Sequence, residues 1–270
     1  MQKTLTLSNG YAIPILGFGT FQIPDGEVTT TAVKAAIQTG YRHIDCAAIY
    51  GNEKAVGQGI AESGVPREEL FITSKLWNDR DTPELALEAF EQTLSDLGTD
   101  YLDLYLIHWP KKHSTACWNV LEQLYTEGRA KAIGVCNYTI RQLEELFKAA
   151  HLRPMVNQVE LHPLWPQDEL VNFCHTHGIH VESWGPLMQG RIFTMPLFAE
   201  MAQKHGCTVA QLAIAWQVNR GLIALAKSSS PERIAANLAV PNIVFDAGDE
   251  KRIADLAHER FGPDPENFDF

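Results

Sequence analysis

Eight parallel strands closed into an α/β (β/α)8 TIM barrel, opened by an N-terminal β-hairpin, are what this sequence predicts. Short apolar runs alternate with amphipathic helical patterns along the chain, eight such runs stand in series, and no Pro/Gly/Ser-rich linker divides them. Parallel strands joined by crossover helices need cover from those helices, and eight uninterrupted units favour closure over an open sheet. The expectation is one barrel domain over residues 1–270, with the hairpin at 1–14 and a C-terminal tail at 262–270.

The elements follow in order. Asn9-Gly10 between the alternating runs Thr4 to Leu7 and Tyr11 to Ile15 predicts a hairpin with a type I′ turn. Barrel strands are expected at Ile15–Gly19, Arg42–Asp45, Leu70–Lys75, Leu102–His108, Ala130–Val135, Met155–Gln158, His180–Ser183 and Leu222–Ala226. Helix ends mark the connections. Asp81-Thr82-Pro83 supplies a cap and a first-turn proline, Leu87, Phe90, Leu94 and Leu97 follow at helical spacing, and Gly98 stops the run. Val28 to Ile37 before Gly40, and Leu143 to Phe147 after Thr139, repeat the pattern.

Composition narrows the function classes. A 45% hydrophobic, 20% charged chain is globular, and a net charge of −11 argues against a phosphate-backbone partner. The apolar runs fall short of the roughly 18 residues of a membrane helix, and residues 1–8 alternate where a signal peptide would carry an apolar block. Five scattered cysteines read as reduced thiols. These features lead to the expectation of a cytoplasmic protein with no nucleic-acid or membrane partner; a monomer is expected, although no sequence feature fixes the oligomeric state. Gly17-Phe18-Gly19 lacks the third glycine of a dinucleotide fingerprint, Gly57-Gln58-Gly59 lies in a helical pattern, and no P-loop occurs.

Chemistry in a barrel gathers at the C-terminal ends of its strands, and here those ends are polar: Asp45 with Tyr50 just beyond it, Lys75, His108, Asn137 and Gln158. Alternation puts Phe71, Thr73 and Lys75 on one face and Leu104, Leu106 and His108 on another, so apolar filling gives way to functional groups at the rim. An ordinary buried ion pair would account for Asp45 and Lys75 alone. With Tyr50 and His108 beside them, the ammonium is expected to lower the tyrosine pKa, making Tyr50 a general acid and His108 a second donor to a carbonyl oxygen. None of the four is a good nucleophile, so the attacking species comes from outside, and a hydride fits. Phe21, Trp77 and Trp109 lie near the same ends as a dry substrate wall, with Phe18 and Trp184 as further aromatics. Lys227-Ser228-Ser229-Ser230-Pro231-Glu232-Arg233 opens a helix capped by Ser230, read either as a solvated cap or as a site for a nucleotide phosphate.

The segments Gly40 to Glu53, Ile72 to Trp77 and Asp100 to Pro110 are similar to the signature motifs of the aldo-keto reductase superfamily, a resemblance that covers nearly the whole chain. It implies NADPH-dependent reduction of small carbonyl compounds, with NADH weaker, and a catalytic tetrad of Asp45, Tyr50, Lys75 and His108. It further implies that Asn137 and Gln158 hold the carboxamide, that Trp184 stacks on the nicotinamide, and that Gly185, Pro186 and Leu187 lie near the diphosphate. By the same resemblance Lys227, Ser228, Arg233 and Asn237 take the adenosine phosphate, and Gly19, Thr20, Cys136 and Gln189 complete the cofactor set. Cys136 stands where the family usually has a serine, and Ser230 where some relatives carry an arginine. The short loop from Trp109 to Thr115 resembles the microbial 2,5-diketo-gluconate reductase branch. The tail either covers the pocket or extends as a free end.

Three rival readings stand beside this one. A metal-dependent hydrolase would use His108 and Asp45, or the Cys174 to His180 cluster, but the latter sits at a helix end on the opposite barrel face, and no metal is expected. A Schiff-base lyase would use Lys75 as its nucleophile, which Asp45 opposes by keeping it protonated. A nicotinamide-binding regulatory subunit without physiological turnover is the non-enzymatic alternative.

Overall fold

The computed structural model describes residues 2–111 and 114–268. The antiparallel hairpin β1 (Thr4–Thr6) and β2 (Ala12–Pro14) precedes the barrel strands β3 (Leu16–Gly19), β4 (His43–Asp45), β5 (Phe71–Leu76), β6 (Leu104–Ile107), β7 (Ile133–Cys136), β8 (Val156–Glu160), β9 (His180–Trp184) and β10 (Ile223–Ala226). Helices α1 (Glu27–Thr39), α2 (Glu53–Ser63), α3 (Pro83–Leu97), α4 (Ser114–Thr126), α5 (Ile140–Phe147) and α6 (Asp168–Thr176) follow β3 to β8 in turn. Two helices, α7 (Pro196–Lys204) and α8 (Val209–Asn219), follow β9, and α9 (Pro231–Leu238) and α10 (Ala247–Ala254) follow β10. All eight barrel strands are parallel, and β10 pairs with both β9 and β3 to close the ring. No helix among the described residues is long and apolar enough to cross a membrane.

The local signals act as expected at helix ends. Thr82 accepts a hydrogen bond from the Leu85 amide ahead of Pro83, and Gly98 closes α3 with a left-handed φ of 64°. Thr139 and Gln142 form a reciprocal capping box on α5. The hairpin turn differs from expectation. Only Gly10 has a positive φ, the Gly10 amide donates to Leu7 O, and the Tyr11 amide donates to the Asn9 side chain. The connection is therefore a three-residue Ser8-Asn9-Gly10 loop, because Asn9 holds the following amide in a geometry that a type I′ turn does not allow. The hairpin lies at the N-terminal ends of the barrel strands, where Tyr11 donates to Asp103 at 2.6 Å and His180 Nε2 lies 2.9 Å from Thr6 O.

One core joins the outward faces of the strands, through Ile44, Ile72, Tyr105 and Val135, to the helices, and a second lies under α7 and α8 around Met188, Phe198 and Leu212. The helical glycines set spacing. A Cβ on Gly57 would sit 2.6 Å from Asp96 O and 2.7 Å from Leu97 O, and one on Gly59 would sit 2.7 Å from Thr30 O, so α2 approaches both α3 and α1 with backbone against backbone. Gly57→Ala is expected to lower stability by about 1–3 kcal/mol through overpacking. Urea unfolding measures it, and an unchanged midpoint would mean that this contact does not set the spacing.

Candidate active site

Alternation along the strands puts a polar set inside the barrel: His43 and Asp45 on β4, Thr73 and Lys75 on β5, Gln158 and Glu160 on β8, Glu182 and Trp184 on β9. Lys75 is fully buried. Its Nζ donates to both Asp45 oxygens at 2.7 Å, to Cys46 O at 2.9 Å and to Tyr50 Oη at 3.3 Å. Burial opposes the ammonium charge, but Asp45 outweighs it and the Lys75 pKa is raised. A lysine held charged in this way is a poor amine nucleophile, which weighs against the Schiff-base reading.

Tyr50 is delivered by a short 3₁₀ turn, Ala48–Tyr50, that Gly51 ends in a left-handed conformation. Asn52 pins that turn by donating to Thr20 O at 3.1 Å and Ile23 O at 3.0 Å. The expected lowering of the tyrosine pKa is not what the surroundings produce. Burial is the largest influence and raises it; Lys75 pulls the other way without prevailing, so the phenol stays protonated at neutral pH. His108 stands edge-on to Tyr50, ring centres 5.6 Å apart, and to Trp77 at 5.1 Å. Burial and the Lys75 charge hold its pKa well below the usual value, leaving a neutral imidazole. Phe21 packs 5.0 Å from Tyr50 with half its surface exposed, and Trp109 lies 4.7 Å from Phe268. The structure thus brings the four polar residues and the three aromatics to one barrel mouth.

The residues expected to meet a cofactor occupy neighbouring strand ends. Gly19 pairs with Asp45, and Thr20 donates to Asp45 O. Buried Cys136 precedes Asn137, whose positive φ of 64° lets its amide donate to His108 O and accept from Trp184 Nε1 at 2.8 Å. That second bond fixes the plane of the indole. Gln158 donates to Asp45 Oδ2 at 2.8 Å and to Glu182 Oε2 at 2.7 Å. Beyond Trp184 the chain turns through Gly185, Pro186 and Leu187 into Met188 and Gln189, both at positive φ. At α9, Ser228 Oγ accepts from the Ser230 amide and from Arg233 Nε, Asn237 is buried, and Lys227 is exposed with no ion pair among the described residues. An exposed ammonium, a guanidinium and a helix N-terminus suit a phosphate, with Glu232, hydrogen-bonded to Ser230, as the opposing charge.

Two carboxyl groups escaped the sequence reading. Glu160, at the rim, accepts from the Phe261 amide at 2.6 Å and the Gly262 amide at 2.9 Å, with His162 Nε2 at 3.0 Å. Farther along the tail, Glu266 meets Thr139 and Arg141, and Gln142 donates to Pro265 O. Residues 262–268 therefore lie across the mouth; Asp269 and Phe270, and Lys112 and His113 of the short loop, lie outside the described residues. Glu182 is buried and sits 3.6 Å from His43 Nε2. The signal for both was period two: Glu160 shares a face with Gln158, and Glu182 with Trp184. Of the histidine cluster, His177 Nδ1 lies 2.8 Å from Phe173 O and His180 meets the hairpin; among the described residues no group of three His, Cys, Asp or Glu is placed to hold a metal.

Residues 15–258 match the model of the aldo/keto reductase family. The chain belongs to that family. It is an NAD(P)H-dependent oxidoreductase of carbonyl chemistry. The reductase is 46% identical to the glyoxal reductase of Bacillus subtilis over 100% of this chain and 99% of that protein. It is 42% identical to the methylglyoxal reductase DkgA of Escherichia coli, over 98% of this chain and 97% of that one. Among solved structures, the Bombyx mori aldo-keto reductase in complex with NADP superposes with a TM-score of 0.86 at 32% identity, covering 95% of this chain and 98% of that chain.

Burial and repulsion from Asp45 push the Glu182 carboxyl up to about 8. Between its unfolded value, about 4.5, and that folded value, unfolding releases a proton, so this group lowers stability as pH rises through that window and its cost is complete above it. Glu182→Gln, which cannot ionise, is expected to gain stability over wild type progressively from pH 5 to pH 8.5. Urea unfolding at both pH values measures the difference; a constant one would mean that Glu182 does not titrate in this window.

Proposed function

We propose that the reductase converts small aldehydes and ketones to alcohols with NADPH as the preferred cofactor, Tyr50 being the general acid. The observation that carries this reading is the approach of the buried Lys75 ammonium to the Tyr50 oxygen at 3.3 Å, at the mouth that His108 shares. The nicotinamide supplies a hydride when bound. The chain's own groups serve the substrate oxygen. Because Lys75 donates to the Tyr50 oxygen, the phenolic proton is free to point toward a carbonyl in the mouth, and as that proton leaves, the ammonium offsets the charge left behind. Asp45 keeps the ammonium charged and aimed, and the neutral His108 offers an N–H to the same oxygen.

On this reading Asn137 and Gln158 hold the carboxamide, Trp184 lies against the nicotinamide with its plane fixed by Asn137, and the turn from Gly185 to Gln189 passes the diphosphate. Lys227, Ser228, Arg233 and Asn237 take the adenosine phosphate, and Gly19 and Thr20 line the approach. Phe21, Trp77 and Trp109 exclude water around the substrate. The identities shared with a glyoxal reductase and a methylglyoxal reductase support a small carbonyl substrate, and the NADP complex of the silkworm relative supports the cofactor.

Tyr50→Phe is expected to bind cofactor normally while reduction of a simple aldehyde falls by roughly 10²–10⁴-fold; near-normal turnover of NADPH followed at its nicotinamide absorbance would sink the assignment. Lys227→Ala is expected to weaken NADPH by about 10–100-fold, one charge-assisted bond, and NADH hardly at all. Tryptophan fluorescence titration with each cofactor reads the difference. Equal weakening of the two would move Lys227 to a group they share.

A further inference from the structure

Below the reacting groups the barrel holds a second acidic side chain for which the chemistry above has no use. Glu182 is fully buried on β9, two residues before Trp184. Its Oε2 accepts from Gln158 Nε2 at 2.7 Å, and the other hydrogen of that same nitrogen goes to Asp45 Oδ2 at 2.8 Å. A primary amide has two N–H donors and one carbonyl acceptor. With both donors committed to acids inside the barrel, Oε1 is the end left for a ligand.

The second acid matters because an amide's two ends are nearly the same in shape and differ by a half-turn about one bond. The flipped form would set Oε1 against the charged Asp45 and give up the N–H bond to that carboxylate, leaving a buried acceptor unpaired. Asp45 alone leaves one N–H of Gln158 uncommitted, and Glu182 takes it. On its other side Glu182 faces His43, at 3.6 Å, whose Nε2 lies 3.0 Å from Thr73 Oγ1. Burial drives the His43 pKa down to about 3, so it brings no charge to the acid, and the raised Glu182 pKa keeps that group largely uncharged near neutrality.

We infer that Glu182 is a positioning residue for the cofactor: through Gln158 it fixes which end of that amide faces the barrel mouth, so that a carbonyl oxygen meets the N–H of the nicotinamide carboxamide. This rests on the proposed cofactor reading of Gln158. Its consequence is confined to the nicotinamide end, since the adenosine phosphate is served from α9.

The test titrates NADPH and 2′-phospho-ADP-ribose, which lacks the nicotinamide, by calorimetry into wild type, Glu182→Met and Glu182→Gln. Met has no acceptor for Gln158, and NADPH is expected to bind about 5–10-fold more weakly, the loss of one neutral hydrogen bond, with 2′-phospho-ADP-ribose unchanged. Gln keeps a carbonyl that accepts from Gln158 and is expected to restore wild-type affinity. If the Met variant does not fold, Glu182→Thr, too short to reach Gln158, gives the same comparison. Equal weakening of both ligands, or no weakening of NADPH, overturns the inference alone. A wild-type protein that binds NADPH no better than 2′-phospho-ADP-ribose overturns the nicotinamide reading and the inference with it.

Discussion

An ammonium group with no access to water costs several kcal/mol unless a counter-charge and further acceptors surround it, and Lys75 is in that position. Its counter-charge comes from the adjacent strand, where Asp45 pairs in register with Thr73, two residues before Lys75. The remaining acceptors are Cys46 O and the Tyr50 oxygen, both from the segment that follows Asp45. The demand of one buried charge therefore dictates the path of the chain from β4 to α2. Glu53 extends the same fixation outward: it accepts from Ser74 at 2.5 Å and Thr93 at 3.1 Å, tying the start of α2 to β5 and α3.

On the far side of the barrel, order is obtained by hydrogen bonding and by local strain. Asn137, Met188 and Gln189 hold positive φ values that non-glycine residues seldom adopt; Asn137 is the group that orients Trp184, and Met188 and Gln189 follow Trp184 in the chain. Glu160 adds a clamp on the backbone of the tail, and the ring of Phe261 stacks on His162 at 4.9 Å. A terminal segment with these partners has little of the freedom usual for chain ends.

Much of this was legible because period two is a rigid rule inside a barrel. His108 at the end of a run of alternating leucines, and Lys75 after Phe71 and Thr73, had to face inward at the C-terminal rim once the strands were recognised. The same rule applied to β8 and β9 would have exposed Glu160 and Glu182, which carry no motif to draw the eye. The acidity of Tyr50 went the other way from expectation, because adjacency in sequence identifies the charges nearby and not the amount of water removed around them. The hairpin turn differs from its sequence signal for a related reason: Asn-Gly permits a two-residue turn, but the bond that the Tyr11 amide donates to the Asn9 side chain selects a longer one.

By itself the sequence determined the succession of strands and helices, the parallel closed barrel, and the convergence of Asp45, Tyr50, Lys75 and His108, since each follows from local periodicity and end signals. Tertiary structure alone decided which partners those side chains meet across the barrel: Gln158 between Asp45 and Glu182, Asn137 between His108 and Trp184, and Glu160 beneath the tail. The physical reason is that hydrogen bonds and desolvation act between residues distant in the chain, 113 positions apart in the case of Gln158 and Asp45, whereas the patterns readable in a chain extend over a few turns of helix or a single strand.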